Sequence, residues 1–142
     1  MAFPRQSGAC CVKISELENK RVAIWGYGRE GRAALAALRW RLPRQDITVF
    51  CNDNEASALL AMEDPNCHID TEVNADKLSS FEYVIKSPGI SPYSSPAVDA
   101  ELHGTKFIGG TALWFGEHPH ERTICVTGTK GKSTVTALIA HL

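Results

Sequence analysis

From residue 21 onward, short apolar runs alternate with longer stretches whose apolar residues recur at helical spacing. RVAIW (residues 21–25) is a compact apolar run that ends in glycine, which predicts a buried strand. REGRAALAALRWRL follows, with Ala34, Leu35, Leu38 and Leu42 on one helical face and Pro43 as a stop. ITVFC (47–51) predicts a second strand, closed by the turn-formers Asn52, Asp53 and Asn54. A helix is expected over 55–62, then a weaker strand near 68–73. EYVIK (82–86) reads as a firm strand, followed by Ser87-Pro88-Gly89. Pro96 suits the first turn of a helix running to about His103, with Gly104 ending it. KFIG predicts a short strand, Thr111 a cap for ALWFGEH, RTICVT a last strand, and KSTVTALIAHL a last helix.

Strand and helix in repeated alternation imply an α/β fold: a Rossmann-like, mostly parallel sheet with helices on both faces. The polar, proline-containing stretch 117–121 marks a boundary between two blocks, each built as strand, glycine loop and helix. The expected organisation is an N-terminal extension (1–20), a Rossmann-like nucleotide-binding domain (21–117), and the start of a P-loop ATP-binding domain (118–142). Because the phosphate loop arrives just before residue 142, the chain reads as an N-terminal fragment, inactive alone.

Each glycine loop carries candidate chemistry. Gly26-Tyr27-Gly28-Arg29-Glu30-Gly31 fits G-x-G-x-x-G between a strand and a helix. Gly26 permits the tight turn, Gly28 lets backbone approach a phosphate, and Gly31 lets helix pack closely on strand. The helix N-terminus then offers free N–H groups and partial positive charge to an anion. A dinucleotide site would add an acid after the second strand; Asp53 lies close, though Asn52 and Asp53 suit turn capping equally well. Ser87, Pro88 and Gly89 form a stiff turn on the same sheet edge, where ligands of parallel sheets bind. Lys86 could approach a phosphate or simply be solvated.

The second loop is T-G-x-x-G-K-[ST]: Gly128, Thr129, Lys130, Gly131, Lys132, Ser133 and Thr134. It lacks the first glycine of the longer P-loop pattern, since Val126 stands there. Its backbone N–H groups suit ATP phosphates, Lys132 the β/γ-phosphates, and the Ser133 hydroxyl Mg²⁺.

Composition narrows the classes. A net charge of −1 over 142 residues gives no field that favours nucleic acid or an anionic membrane. No apolar run approaches the roughly 20 residues of a membrane span. The five cysteines, Cys10, Cys11, Cys51, Cys67 and Cys125, match no zinc spacing and read as reduced, cytoplasmic and structural. His118 and His120 flank Pro119 as exposed polar residues, and Trp25, Trp40 and Trp114 as packing residues. No nucleophile–base or paired-carboxylate constellation emerges from spacing.

GYGREG, SPGI, GGTALWF and VTGTKGKST, in that order, resemble the Mur ligases. The nearest likeness is to the branch that adds glutamate to UDP-N-acetylmuramoyl-L-alanine in peptidoglycan synthesis. GREGR, FCND, FIGGTALWF and GTKGKST resemble its less common, L-glutamate-adding form, although the amino-acid pocket lies outside these residues and the isomer stays open. The resemblance implies a UDP-binding first domain. Arg29 and Glu30 take the diphosphate positions; Cys51, Asn52 and Asp53 the nucleotide-holding positions; Ser87, Pro88 and Gly89 the uracil end; and residues 128–134 the ATP loop. Cys51 stands where the family has an acid, and Thr111 where it often has one. The implied reaction is ATP-driven amide synthesis through an acyl-phosphate, with Mg²⁺, Lys132 and Ser133 acting on the phosphates. Two rivals remain: an NAD-dependent oxidoreductase, and a non-catalytic UDP-sugar-binding module.

Overall fold

The computed structural model describes residues 11–141; half of the expected N-terminal extension, with Cys10, and Leu142 lie outside them. Five parallel strands form one sheet in the order β3-β2-β1-β4-β5. They are β1 (Val22–Trp25), β2 (Ile47–Phe50), β3 (Cys67–Asp70), β4 (Tyr83–Lys86) and β5 (Lys106–Ile108). The helices are α1 (Arg29–Arg41), α2 (Asp53–Leu60), α3 (Ala75–Ser79), α4 (Ser95–Leu102), α5 (Gly110–Glu117) and α6 (Lys132–Ile139). β1 leads out to β2 and β3, whereas β4 returns to the other side of β1. The chain thus reverses its direction of travel between β1 and β4, where open parallel sheets leave a ligand crevice.

Strand alternation sorts the core into two layers. Val22 and Ile24 of β1, Ile47 and Val49 of β2, and Ile85 of β4 share a cluster with Leu35 and Leu38 of α1, Leu59 of α2 and Leu113 of α5. Ala23, Phe50 and Val84 face the opposite way, onto Leu78 of α3 and Ala100 of α4. Burial on both faces is why these strands are nearly continuous apolar runs. On the second layer, the Thr105 hydroxyl lies 3.1 and 3.0 Å from the Leu78 and Phe81 carbonyl oxygens and shares its one proton between them, so this buried polar group is satisfied.

Residues 12–17 belong to the first layer rather than standing apart from it. Val12, Ile14 and Leu17 join the α1 cluster, Leu17 with no exposed surface. A Cβ at Gly116 of α5 would lie 2.2 Å from the Val12 carbonyl oxygen, so only glycine lets these backbones touch. The Glu117 carboxylate also accepts from the Ile14 N–H at 2.8 Å.

Four expectations need correction. Helix α2 starts two residues early because Asn52 caps it: its Oδ1 accepts from the Glu55 N–H while Glu55 Oε2 accepts from the Asn52 N–H. Thr111 is no cap, because α5 begins directly after β5 with Gly109 as N-cap. RTICVT forms no strand; a strand exists only through a ladder, and residues 122–127 join neither edge of the sheet. Trp40 is 84% exposed and Trp114 44% exposed. Trp40 falls off the Gly31, Ala34, Leu35, Leu38 stripe that α1 buries, and helical spacing alone did not show that. Trp114 instead stacks on the His118 ring, with centroids 4.7 Å apart.

The short helix α3 escaped the sequence pattern, since one turn of ADKLS carries no periodicity. Asn74 caps it through the Lys77 N–H at 2.9 Å. Cys11, Cys51, Cys67 and Cys125 are free thiols. Among the described residues, no helix is long and apolar enough to cross a membrane.

Truncating Leu17 to alanine would remove a fully buried side chain from the α1 layer. The expected loss is about 2–5 kcal/mol in urea-monitored unfolding; a change under about 0.5 kcal/mol would show that residues 12–17 do not form part of this core.

Candidate functional site

The C-terminal ends of β1, β2 and β4 lie side by side, because Trp25 pairs in register with Phe50 and with Lys86. Their following loops therefore share one edge. The Gly26 N–H donates to the Phe50 carbonyl at 2.8 Å and the Ser87 N–H to the Trp25 carbonyl at 2.9 Å, extending the ladder into the loops.

Gly26 turns with φ +93°, a conformation that side chains resist, and a Cβ there would lie 2.7 Å from Ser87 Oγ. The Ser87 hydroxyl uses that closeness by donating to the Gly26 carbonyl at 3.1 Å. On the same oxygen's other side, a Cβ at Gly31 would approach to 2.1 Å, so α1 starts almost in contact with the end of β1. Gly28 is the N-cap of α1, exposed, with no atom within 4 Å of the place a Cβ would take. The three glycines thus divide their labour as the sequence pattern anticipates, one turning, one leaving room, one packing. The open N–H groups beside Gly28 form an anion-receptive corner flanked by exposed Arg29 and Glu30.

Tyr27, between these glycines, points inward. It is 4% exposed, and its hydroxyl donates to Met62 Sδ at 3.2 Å. Arg32 Nε donates to the Tyr27 carbonyl at 3.3 Å, fixing the loop from the helix side. Burial raises the pKa of the Tyr27 phenol, so it stays protonated.

After β2 the picture differs from a dinucleotide site. Cys51 occupies the strand-end position with its thiol buried; burial first, then the nearby Glu55 carboxylate, pushes its pKa up. A neutral thiol cannot accept hydrogen bonds from a ribose diol as a carboxylate does. Asn52 is engaged in the capping box, and Asp53 stands exposed in the first turn of α2. Of the two roles open to this turn, capping is the one the geometry fills.

The edge has a fourth contributor that sequence reading passed over. β5 runs parallel to β4, and Gly110 just beyond it sits against Glu30: a Cβ there would lie 3.5 Å from the Glu30 carboxylate. The doubled glycine after KFI was the available signal. Pro88 and Gly89 are exposed, with open space beside Gly89.

The second glycine loop stands apart. Gly128 (φ +149°) and Gly131 (φ +76°) supply its left-handed turns, and Gly131 is the N-cap of α6. The Lys132 ammonium donates back to the Gly128 carbonyl, folding across the loop where a phosphate would otherwise draw it. Lys130, Ser133 and Thr134 are exposed, and α6 buries no residue. Among the described residues, no hydrogen bond or ion pair joins residues 128–134 to the loops around Gly28 and Ser87. The structure therefore brings the residues after β1, β2 and β4 together and leaves the 128–134 loop separate.

Comparison with curated proteins gives this arrangement a relative. Over 136 aligned residues, 92% of the chain is 58% identical to the UDP-N-acetylmuramoyl-L-alanine–L-glutamate ligase of Xanthomonas euvesicatoria pv. vesicatoria. The chain is similar to part of that ligase. Proteins of the same name match over the same extent in Xylella fastidiosa, at 54% identity, and in a Micromonospora species, at 37%. The chain spans 29% of the length of these relatives. No protein-family model matches it. Among solved structures, shikimate dehydrogenase from Thermotoga maritima aligns with 73% of this chain and 51% of its own, at 18% identity and a TM-score of 0.45.

Replacing Asn52 with alanine would strip the α2 cap. The expected cost is about 1 kcal/mol of stability, read as a lower urea midpoint at unchanged slope; an unchanged midpoint would show that the capping box contributes nothing.

Proposed function

We propose that this chain is the nucleotide-binding part, and the beginning of the ATP-binding part, of a Mur ligase that adds L-glutamate to UDP-N-acetylmuramoyl-L-alanine. What carries the reading is the 58% identity over 92% of the chain to a protein of that name. The geometry supports it independently of the name. An anion corner at Gly28, Arg29 and Glu30 suits the diphosphate, and Ser87, Pro88 and Gly89 border open space suited to the uracil end. Asn52 and Asp53 stand at the start of α2, after the strand that pairs with β1.

In the ligase, the substrate carboxylate attacks the γ-phosphorus of ATP, giving an acyl-phosphate and ADP. The glutamate amine then attacks the acyl carbon and expels phosphate, so one amide forms for each ATP cleaved. Lys132 and the backbone N–H groups of residues 128–134 hold the β- and γ-phosphates and offset the charge that builds on the transferred group. The exposed loop fits such a group, with a left-handed Gly131 opening the helix and the Lys132 ammonium resting on a carbonyl it can leave. Mg²⁺ held through the Ser133 hydroxyl would neutralise further phosphate charge. The free thiols suit the cytoplasm, where ATP and a nucleotide-linked precursor are at hand.

The NAD-dependent alternative loses support at the end of β2. Buried, neutral Cys51 and the capping box of Asn52 leave exposed Asp53 as the remaining acid there. The expected outcome in titration calorimetry is that UDP-N-acetylmuramoyl-L-alanine binds the chain at least about tenfold tighter than NAD, a margin of 1.4 kcal/mol. The opposite order would refute the ligase reading. In the ligase that carries this segment, Lys132→Ala is expected to lower kcat for phosphate release by at least about a hundredfold. Retained turnover would remove Lys132 from phosphoryl transfer.

A further inference from the structure

The geometry points to Lys86 as the positioning residue that holds the Ser87–Gly89 turn open toward ligand, by drawing that turn's carbonyl oxygens onto its ammonium. The proposal rests on the nucleotide-binding reading above and adds to it a residue that acts through the turn.

Lys86 is the last residue of β4, and by strand alternation its side chain shares a face with Val84, opposite Ile85, which packs beneath α1. Its Nζ donates to the Ile90 carbonyl at 2.5 Å and lies 3.5 Å from the Ser87 carbonyl. Ile90 N–H in turn donates to that same Ser87 carbonyl at 3.1 Å, closing a four-residue turn over Pro88 and Gly89. One ammonium therefore grips the turn at its first and last residues. The Ser87 hydroxyl grips it again from the side of Gly26.

Two features separate this lysine from an ordinary strand-end cation. It is half-buried, and burial lowers its pKa from the usual lysine value. It also forms no ion pair among the described residues, so main-chain oxygens are what face its charge. An ammonium surrendering hydration for carbonyl oxygens is an arrangement that shapes backbone. The consequence for binding is geometric: the turn beside the crevice is pinned at its first and last residues. Glycine at 89, with nothing within 4 Å of its missing Cβ, then leaves the outer side of the turn free.

The test uses the chain itself with Lys86→Met, which keeps the aliphatic stem and removes the donors, and Lys86→Arg, which keeps charge and donors. Amide hydrogen exchange at Ile90 and calorimetric titration with UDP are read for both, alongside thermal unfolding. Expected for Lys86→Met are Ile90 exchange at least about tenfold faster and UDP affinity at least about tenfold weaker, with the unfolding midpoint within a few degrees of the parent. Lys86→Arg is expected to restore both. Unchanged Ile90 exchange in Lys86→Met would overturn the clamp. Faster exchange with unchanged UDP affinity would overturn its role in binding. Should Lys86→Met fail to fold, Lys86→Gln serves in its place, with the same two readouts and the same overturning results. A parent chain that binds no UDP would count against the nucleotide reading, while Ile90 exchange would still decide the clamp.

Discussion

The Gly26 carbonyl oxygen is the point on which the rest of this structure turns. Gly31 comes so near that a methyl group would sit 2.1 Å away, and the Ser87 hydroxyl donates to the same oxygen at 3.1 Å. The first contact fixes where α1 begins relative to β1; the second fixes the loop after β4 against the loop after β1. Since the chain reverses direction between those two strands, one oxygen sets the width of the crevice at the sheet's edge. Any residue larger than glycine at 31 would push the helix N-terminus, and its unpaired N–H groups, away from that edge.

Much of the fold was legible because a sheet buried on both faces writes itself as apolar runs. RVAIW, ITVFC and EYVIK each became a strand within one residue of the expected limits, and α1 ended just before Pro43. The reading failed where the deciding physics is non-local. RTICVT has the composition of a strand, yet composition cannot supply the neighbour whose N–H and C=O groups a ladder needs. Trp40 has the residue type of a core position on a helix whose buried stripe passes it by. Helix α3 exists through its cap and through Leu78 docking beneath α4, and neither leaves a periodic trace.

At the site, the same division holds. The three glycines after β1 announced their separate duties because each duty is a property of glycine itself: positive φ, open space, or backbone contact. Asn52 and Asp53 were ambiguous for the opposite reason, since the short polar side chains that suit a ligand also suit a helix cap, and only the Glu55 partner decides between them. Lys86 is the harder case. A strand-end lysine reads as solvated, and nothing in the neighbouring sequence says that the Ser87 and Ile90 carbonyls turn toward it.

The two glycine loops also differ in what supports them. The first is held by β2, by β4 and by α1, so its shape is fixed before any ligand arrives. The second has the turns of a phosphate loop, but α6 buries none of its residues, and Val135 and Leu138 are 45% and 63% exposed. An anion bound at Gly28 would meet a pre-shaped corner, so little of its binding energy would go into ordering the loop. An anion bound at Gly131 would have to displace Lys132 from the Gly128 carbonyl and order an exposed turn as it binds. In these residues, then, the loop at the sheet edge is the pre-shaped one, even though the 128–134 motif is the more conspicuous in the sequence.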